Sequence, residues 1–182
     1  MNLPVDPGVP FVLILGRKAG AKGYRKIIEA VEELNCEGVK LSVVLIGPDD
    51  DGVPINSANA IYLGRQPRNV VRGALQECIL LCNMSTSESF GIVLLESWLA
   101  GKPVIVNGNC AAFRDMVVHG ENGFVVSGDT LKSALVELAN DPAARAELAR
   151  NGRQVAEKFD WEAVCNNFVK ICREMVAMEG AV

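Results

Sequence analysis

The sequence contains one histidine, and none of its six cysteines forms a C-x-x-C pair. Zinc sites take closely spaced cysteine and histidine ligands, so this scarcity argues against a metal centre, and we expect neither a metal nor a cofactor. Most of the cysteines lie in apolar surroundings, as Cys78 and Cys82 do. Such residues are typical of reduced core thiols, which predicts a cytoplasmic protein.

An excess of positive charge is also missing, as is any apolar run long enough to cross a membrane. The net charge is −4 and the isoelectric point is near 5.1. A chain without a basic field does not attract nucleic acid through its phosphates, so we expect no nucleic-acid partner. A membrane helix needs about 20 apolar residues in succession, and no segment approaches that length. A few local cations still suffice to bind a phosphorylated small molecule.

The sequence is rich in apolar residues, with 49% hydrophobic and 22% charged, and its 182 residues are enough for one domain with a core. Short apolar runs of strand length alternate with segments of helical periodicity. This alternation predicts an α/β, Rossmann-like three-layer domain with a parallel sheet of about six strands and right-handed crossovers. The predicted strands are 11–15, 41–46, 60–63, 79–84, 104–106 and 124–126, and the predicted helices are 24–34, 69–77, 129–140, 142–158 and 161–178.

Residues 85–101 follow the fourth predicted strand and are the most informative stretch of the chain. Small hydroxyl residues at its start favour a helix N-cap, and nearly unbroken apolar residues predict a buried helix that ends at Gly101. Glu88 in the entering turn and Glu96 further on bracket the apolar part, and eight residues of helix rise about 12 Å. The start of such a helix is a natural seat for phosphates. Taken alone, both carboxylates could equally be solvated surface groups.

Residues 88–96 read Glu-Ser-Phe-Gly-Ile-Val-Leu-Leu-Glu, which resembles the E-x7-E signature of retaining glycosyltransferases of the GT-B fold. Residues 100–105 resemble the A-x-G-x-P-V-V segment that follows it in family 4. The resemblance implies that Glu88 contacts sugar hydroxyls and that Glu96 contacts the ribose of the nucleotide. It also implies that a turn supplies backbone N–H groups near the phosphates and the sugar, at Ser89, Phe90, Gly91 and Ile92.

A Gly-rich basic turn follows the first predicted strand, at residues 16–23. It resembles the family's G-R-x(n)-K-G segment, whose arginine and lysine bind the donor pyrophosphate, and Arg17 and Lys22 are the matching residues. Their role would be to neutralise charge on the leaving nucleoside diphosphate, which makes them, with Glu88, the expected catalytic residues. Alone, both cations could be solvated loop residues. The G-x-G-x-x-G dinucleotide motif does not occur here.

Three other loops carry weaker or altered signals. Arg65 follows the third predicted strand, where the family backbone meets the nucleobase, and it could bind the base or be a surface cation. The run of three aspartates at residues 49–51 lacks EF-hand spacing, which favours a bare acidic turn over a calcium or magnesium site. Residues 107–117 lack the family's paired glycines, so the resemblance does not carry the sugar contacts of that loop to this chain.

The resemblance runs from about Phe11 to Met178 and covers the donor-binding half of a GT-B enzyme. It implies a linker at residues 1–10, a nucleotide-sugar binding domain at 11–178, and an N-terminal acceptor domain that this chain lacks. The implied reaction is retaining transfer of a hexosyl group from a UDP- or GDP-sugar to an acceptor hydroxyl, without a metal, in glycan or cell-surface polysaccharide biosynthesis. We expect the chain alone to be inactive. Peripheral membrane association through the missing domain stays open.

Two alternatives to an enzyme domain are considered. The chain could be a non-catalytic nucleotide-sugar binding module that acts only with a partner domain. An unrelated doubly wound domain, such as a flavodoxin-like receiver, requires acidic residues at the end of the first strand, and Gly16 and Arg17 lie there instead.

Overall fold

Strands and helices alternate along the part of the chain that the computed structural model describes, which is Asp6 and residues 8–179. Most of the predicted linker at residues 1–10 lies outside this part. The strands are β1 (Phe11–Leu15), β2 (Ser42–Ile46), β3 (Ala60–Tyr62), β4 (Leu80–Asn83), β5 (Val104–Asn107) and β6 (Phe124–Val126). The helices are α1 (Tyr24–Cys36), α2 (Arg68–Glu77), α3 (Ile92–Leu99), α4 (Ala111–Arg114), α5 (Gly128–Asn140), α6 (Pro142–Ala156) and α7 (Trp161–Glu179). Of these, only the four-residue α4 was not predicted from the sequence.

All six strands form one parallel sheet in the order β3-β2-β1-β4-β5-β6, which confirms the predicted fold class. The chain builds the sheet outward from β1 to β3, returns to the other side of β1, and then builds outward from β4 to β6. The order therefore reverses between β1 and β4. In open parallel sheets, ligands bind in the crevice beyond the carboxyl ends of the strands at such a switch point.

Both faces of the sheet are covered, which explains why its strands read as continuous apolar runs. In β1, Val12 and Ile14 face a layer formed mainly by α1 and α5, while Leu13 and Leu15 face a layer that includes α2, α3 and α4. Every residue of β1 is buried. The alternation of side chains along a strand distributes these residues between the two layers.

The helix α3 departs from its prediction in two ways. It begins at Ile92 rather than with a hydroxyl residue, and Gly91 precedes it with φ 98° and no side-chain cap. It is also buried on one side only, because Leu94 and Trp98 lie in the core whereas Ile92 is 64% exposed. The apolar composition predicted a buried helix, but the packing leaves one apolar face open to solvent.

The helix α7 presents an exposed apolar surface. Trp161, Phe168, Met175 and Val176 are 79%, 66%, 62% and 70% exposed. Despite these side chains, none of the helices among the described residues combines the length and hydropathy of a membrane-spanning segment.

Candidate functional site

A cavity of about 370 Å³ lies at the switch point between β1 and β4. Its walls come from the carboxyl ends of these two strands, the loops that follow them, and the start of α3. The structure brings seven of the predicted site residues together around it: Arg17, Lys22, Glu88, Ser89, Phe90, Gly91 and Ile92.

Lys22 and Glu88 form an ion pair in this cavity. The Lys22 Nζ lies 2.7 Å from the Glu88 Oε1, and the two side chains are only 18% and 20% exposed. Lys22 ends a short 3-10 turn at Gly20–Lys22, and the Thr86 amide donates to the Ala21 carbonyl at 3.2 Å. The loops after β1 and β4 are therefore joined through both backbone and side chains. An ammonium has three donors, so Lys22 can keep Glu88 and still bind an anion.

Arg17 lies at the rim of the same cavity. Its side chain is 63% exposed, and its Nη1 donates to the Asp50 Oδ2 at 3.0 Å. A guanidinium carries five N–H donors, so this single contact leaves most of the planar fork available. Arg17 and Lys22 thus place two cationic groups on one wall.

The start of α3 faces these cations. Its first N–H groups lack partners within the helix, and the positive end of the helix dipole lies there. Gly91 permits the turn, since its φ of 98° is unfavourable for other residues and a Cβ would lie 3.1 Å from the Phe113 ring. The neighbouring Phe90 is supported by an edge-to-face contact with Phe159, with 5.2 Å between ring centroids. An anion between α3 and Lys22 would meet positive charge from both sides.

Glu96 lies elsewhere, at a second cavity of about 930 Å³ between α2 and α3. Gln66 and Arg68 line it as well. Partial desolvation raises the pKa of the Glu96 carboxyl, and the nearby Arg68 guanidinium acts in the opposite direction. Glu88 is in the loop before α3 and Glu96 is inside the helix, so the two carboxylates line different cavities.

Arg65 lines neither cavity. Its expected contact with the nucleobase stays a prediction, but Arg65 does not join Arg17 and Glu88 around the first cavity. The reason is the strand order, because β3 is at the edge of the sheet, two strands away from β1. Two strand spacings separate their ends by about 10 Å.

Lys18 is a buried charged residue that the sequence analysis missed. Its side chain is only 1% exposed, its Nζ lies 2.7 Å from the Asp49 Oδ1, and it also pairs with Asp51. The run of three aspartates is therefore not the bare acidic turn that was predicted, since its outer members bind this lysine. Burial by itself lowers the pKa of Lys18, but the hydrogen bonds to Asp49 and Asp51 outweigh it and raise the pKa. The signal in the sequence was a lysine three residues after the end of an apolar strand, with carboxylates three to five residues after the end of the next strand.

Acid is expected to weaken the fold through Asp51. The hydrogen bond from Lys18 lowers its pKa to about 2 from an ordinary value of 3.8. The folded state therefore prefers the carboxylate, and this stabilisation is complete above about pH 4 and is lost as the pH falls through 2. In Asp51→Asn, the free energy of unfolding should drop less between about pH 6 and pH 2.5 than in the wild type. Urea unfolding at both pH values measures the difference, and equal drops would rule out Asp51 as its source.

Asn83 is a second cavity residue that was not predicted. It ends β4, lines the cavity, and accepts the Ser85 amide at 3.0 Å through its Oδ1. A polar residue at the carboxyl end of a buried apolar strand was the available signal. No group of three or more metal-ligating side chains occurs among the described residues.

Comparison with known proteins gives the family. The family model for glycosyl transferases group 1 matches residues 2–155 of the chain. The sequence is similar to the phosphatidyl-myo-inositol mannosyltransferase of Mycobacterium leprae, with 28% identity over 180 residues that cover 93% of this chain and 48% of the relative. The chain spans about half the length of the curated relatives it matches.

Solved structures share the fold. HepE from Anabaena, in complex with UDP and glucose, gives a TM-score of 0.73 at 21% identity over 96% of this chain and 49% of that chain. The C-terminal domain of a glycosyl transferase group 1 family protein from Francisella tularensis gives a TM-score of 0.70 at 22% identity, over 83% of this chain and 87% of that chain. The second comparison aligns this chain with nearly the whole of a separate C-terminal domain.

Proposed function

This chain belongs to the glycosyl transferases group 1 family, and we propose that it is the donor-binding domain of a two-domain enzyme. The enzyme would transfer a sugar from a UDP- or GDP-sugar to an acceptor hydroxyl with retention of configuration. The observation that carries this proposal is the cavity at the switch point, where the Lys22–Glu88 pair faces the start of α3. The cationic groups there suit the diphosphate of a nucleotide sugar, and the Glu88 carboxylate suits the hydroxyls of its sugar.

The proposed roles follow from the chemistry of each group. The pyrophosphate would bind between the N–H groups of α3 and the cations Arg17 and Lys22, which neutralise charge as the sugar leaves. Glu88 would accept hydrogen bonds from sugar hydroxyls, and Glu96 would accept them from the ribose. The departing diphosphate would take the proton of the acceptor hydroxyl, and Arg17 and Lys22 would offset its charge in place of a metal.

A second domain is part of the proposal. The exposed apolar face of α7, which includes Phe168 and Met175, would pack against the acceptor domain. The chain alone would then bind donor without transferring it, and the natural setting would be glycan or cell-surface polysaccharide synthesis. A non-catalytic binding module would bind donor equally well, so turnover by this chain joined to an acceptor domain separates the two possibilities.

Calorimetric titration with UDP, GDP and ADP, and with the matching nucleosides, tests the donor site. We expect at least one diphosphate to bind much more tightly than its nucleoside, and this preference should shrink at high salt because exposed charges are screened. If no diphosphate is preferred over its nucleoside, the proposed function is wrong.

Glu96→Ala should weaken the binding of nucleoside and diphosphate to the same extent. The loss of a hydrogen bond between the ribose and a charged but exposed group amounts to about 1.5 kcal/mol, or roughly tenfold in Kd. The ratio of the two affinities should stay constant, because the phosphates bind in the other cavity. Glu77→Ala, at the end of α2, serves as a control for the loss of one surface carboxylate. An effect of Glu96→Ala on the diphosphate alone would contradict the assignment of Glu96 to the ribose.

A further inference from the structure

The proposed phosphate site does not use the one charged side chain that is fully buried among the described residues, Lys18. Its Nζ contacts Asp49 and Asp51 and donates to the Val53 carbonyl at 2.8 Å. The ammonium also lies 5.7 and 5.6 Å from the centroids of the Tyr24 and Tyr62 rings, which favours a cation. The Tyr24 hydroxyl donates to the Asp51 Oδ2 at 2.9 Å. We call this group the Lys18 cluster.

The Lys18 cluster joins the loop after β1 to the loop after β2. The backbones of the two loops are paired at the same place, because the Lys18 amide donates to the Pro48 carbonyl at 2.8 Å and the Asp50 amide donates to the Lys18 carbonyl at 3.0 Å. Gly47 packs so closely on the first loop that a Cβ there would lie 1.8 Å from the Gly16 carbonyl oxygen. The side-chain contacts of Lys18 therefore add to backbone contacts that already hold the two loops close together.

Packing alone does not account for a lysine at this position. Apolar residues of similar volume often stabilise a core as well as a buried ion pair does, so burying a charge has to be explained by the geometry it imposes. The chain directly beside Lys18 carries both cations of the proposed phosphate site. Arg17 precedes it, and Lys22 is the last residue of the short 3-10 turn that follows.

The three aspartates at residues 49–51 divide between Lys18 and Arg17. Asp49 and Asp51 bind Lys18, and the middle residue, Asp50, binds the Arg17 guanidinium at 3.0 Å. Alternation along the acidic turn thus directs two carboxylates to the buried lysine and one to the exposed arginine. The acidic turn at residues 49–51 therefore holds the loop at residues 16–22 and also contacts Arg17, one of the two cations that the loop presents to the cavity.

We propose that Lys18 is a positioning residue for the phosphate site, and that its ion pairs with Asp49 and Asp51 hold the loop at residues 16–22 so that Arg17 and Lys22 face the cavity. This inference rests on the proposed function, since it needs phosphates to bind there. Lys18 itself is enclosed by protein groups and acts on the ligand through Arg17 and Lys22.

The measured quantity is the ratio of nucleoside Kd to nucleoside diphosphate Kd, using whichever base binds the wild type best. In the triple variant Lys18→Met/Asp49→Asn/Asp51→Asn, we expect this ratio to fall about tenfold while the nucleoside Kd stays within about twofold. The triple variant makes the local charge more positive by one unit, so an effect of charge alone would raise the ratio. A ratio that stays constant or rises in the folded triple variant would overturn the proposal.

Two further variants keep the test decisive. Asp49→Asn leaves Asp51 on Lys18 and is expected to lower the ratio about threefold, so it decides the question if the triple variant does not fold. Leu138→Ala, at a buried position of α5 that lines neither cavity, is expected to reduce stability without changing the ratio, which separates positioning from general destabilisation. If the wild type itself shows no preference for the diphosphate, the proposed function fails. If the preference is present and Asp49→Asn leaves it unchanged, only the role of Lys18 fails.

Discussion

Lys22→Ala is expected to weaken nucleoside diphosphate binding by about 2.5–4 kcal/mol, or roughly 60- to 900-fold. The loss of a hydrogen bond between a charged donor and a phosphate accounts for about 1.5–3 kcal/mol. The structure adds a second contribution, because Lys22 also neutralises Glu88 at 2.7 Å. In the variant, that carboxylate faces the phosphates without a counter-charge, which adds about 1 kcal/mol of repulsion at short range.

Calorimetry on a set of variants separates these two contributions. Glu88→Gln should bind free diphosphate a few times more tightly than the wild type, since it removes a negative charge and frees Lys22. The double variant Lys22→Ala/Glu88→Gln should recover about 1 kcal/mol relative to Lys22→Ala. Lys26→Ala, on the exposed side of α1, controls for the loss of one positive charge. An equal loss of nucleoside and diphosphate binding in Lys22→Ala would show that Lys22 does not contact the phosphates.

Gly152→Ala should be among the most destabilising small substitutions in the domain, by about 2–3 kcal/mol. A Cβ on Gly152 would lie 2.1 Å from Cδ1 of Trp98, a rigid ring that is fully buried. Trp98 cannot turn aside easily, because its Nε1 donates to the Asn122 carbonyl at 2.9 Å. Overpacking of this kind outweighs the roughly 1 kcal/mol that alanine gains over glycine inside a helix. For a domain of this size, the melting temperature should fall by about 4–12 °C.

Thermal unfolding followed by circular dichroism measures this change. Gly128→Ala is the matched control, because it makes the same substitution in a helix where nothing lies within 4 Å of the added Cβ. The control should melt within about 2 °C of the wild type. Equal melting temperatures for Gly152→Ala and the control would mean that α3 and α6 do not pack as closely as the structure shows. Since α3 carries Glu96, the same contact also supports the second cavity.

Local patterns in the sequence were sufficient to predict the strands, the helices and the fold class. Continuous apolar runs such as 11–15 predicted strands covered on both faces, and alternation with helices predicted a parallel sheet. Both predictions are confirmed, because burial on two faces leaves a signature within a few consecutive residues. The E-x7-E segment likewise led to the family, since its spacing lies within one loop and one helix.

The cap of α3 and its degree of burial were predicted wrongly for a physical reason. Composition records how apolar a helix is, but not which of its sides another element covers. Ile92 and Leu99 are 64% and 51% exposed, although their sequence context is the same as that of the buried Leu94 and Leu95. Gly91 precedes the helix because the turn into it requires a positive φ, which hydroxyl residues at a cap do not supply.

The arrangement of charges was decided only by the tertiary structure. Lys22 and Glu88 are 66 residues apart, and Lys18 and Asp51 are 33 residues apart. Their pairing depends on which strand ends lie side by side, and the sheet order sets this by placing β1 between β2 and β4. The same order puts Arg65 after the edge strand β3, and Arg65 does not line the central cavity. Local sequence determines what each segment becomes, whereas the partners of a loop cation follow from the packing of strands that are distant in the chain.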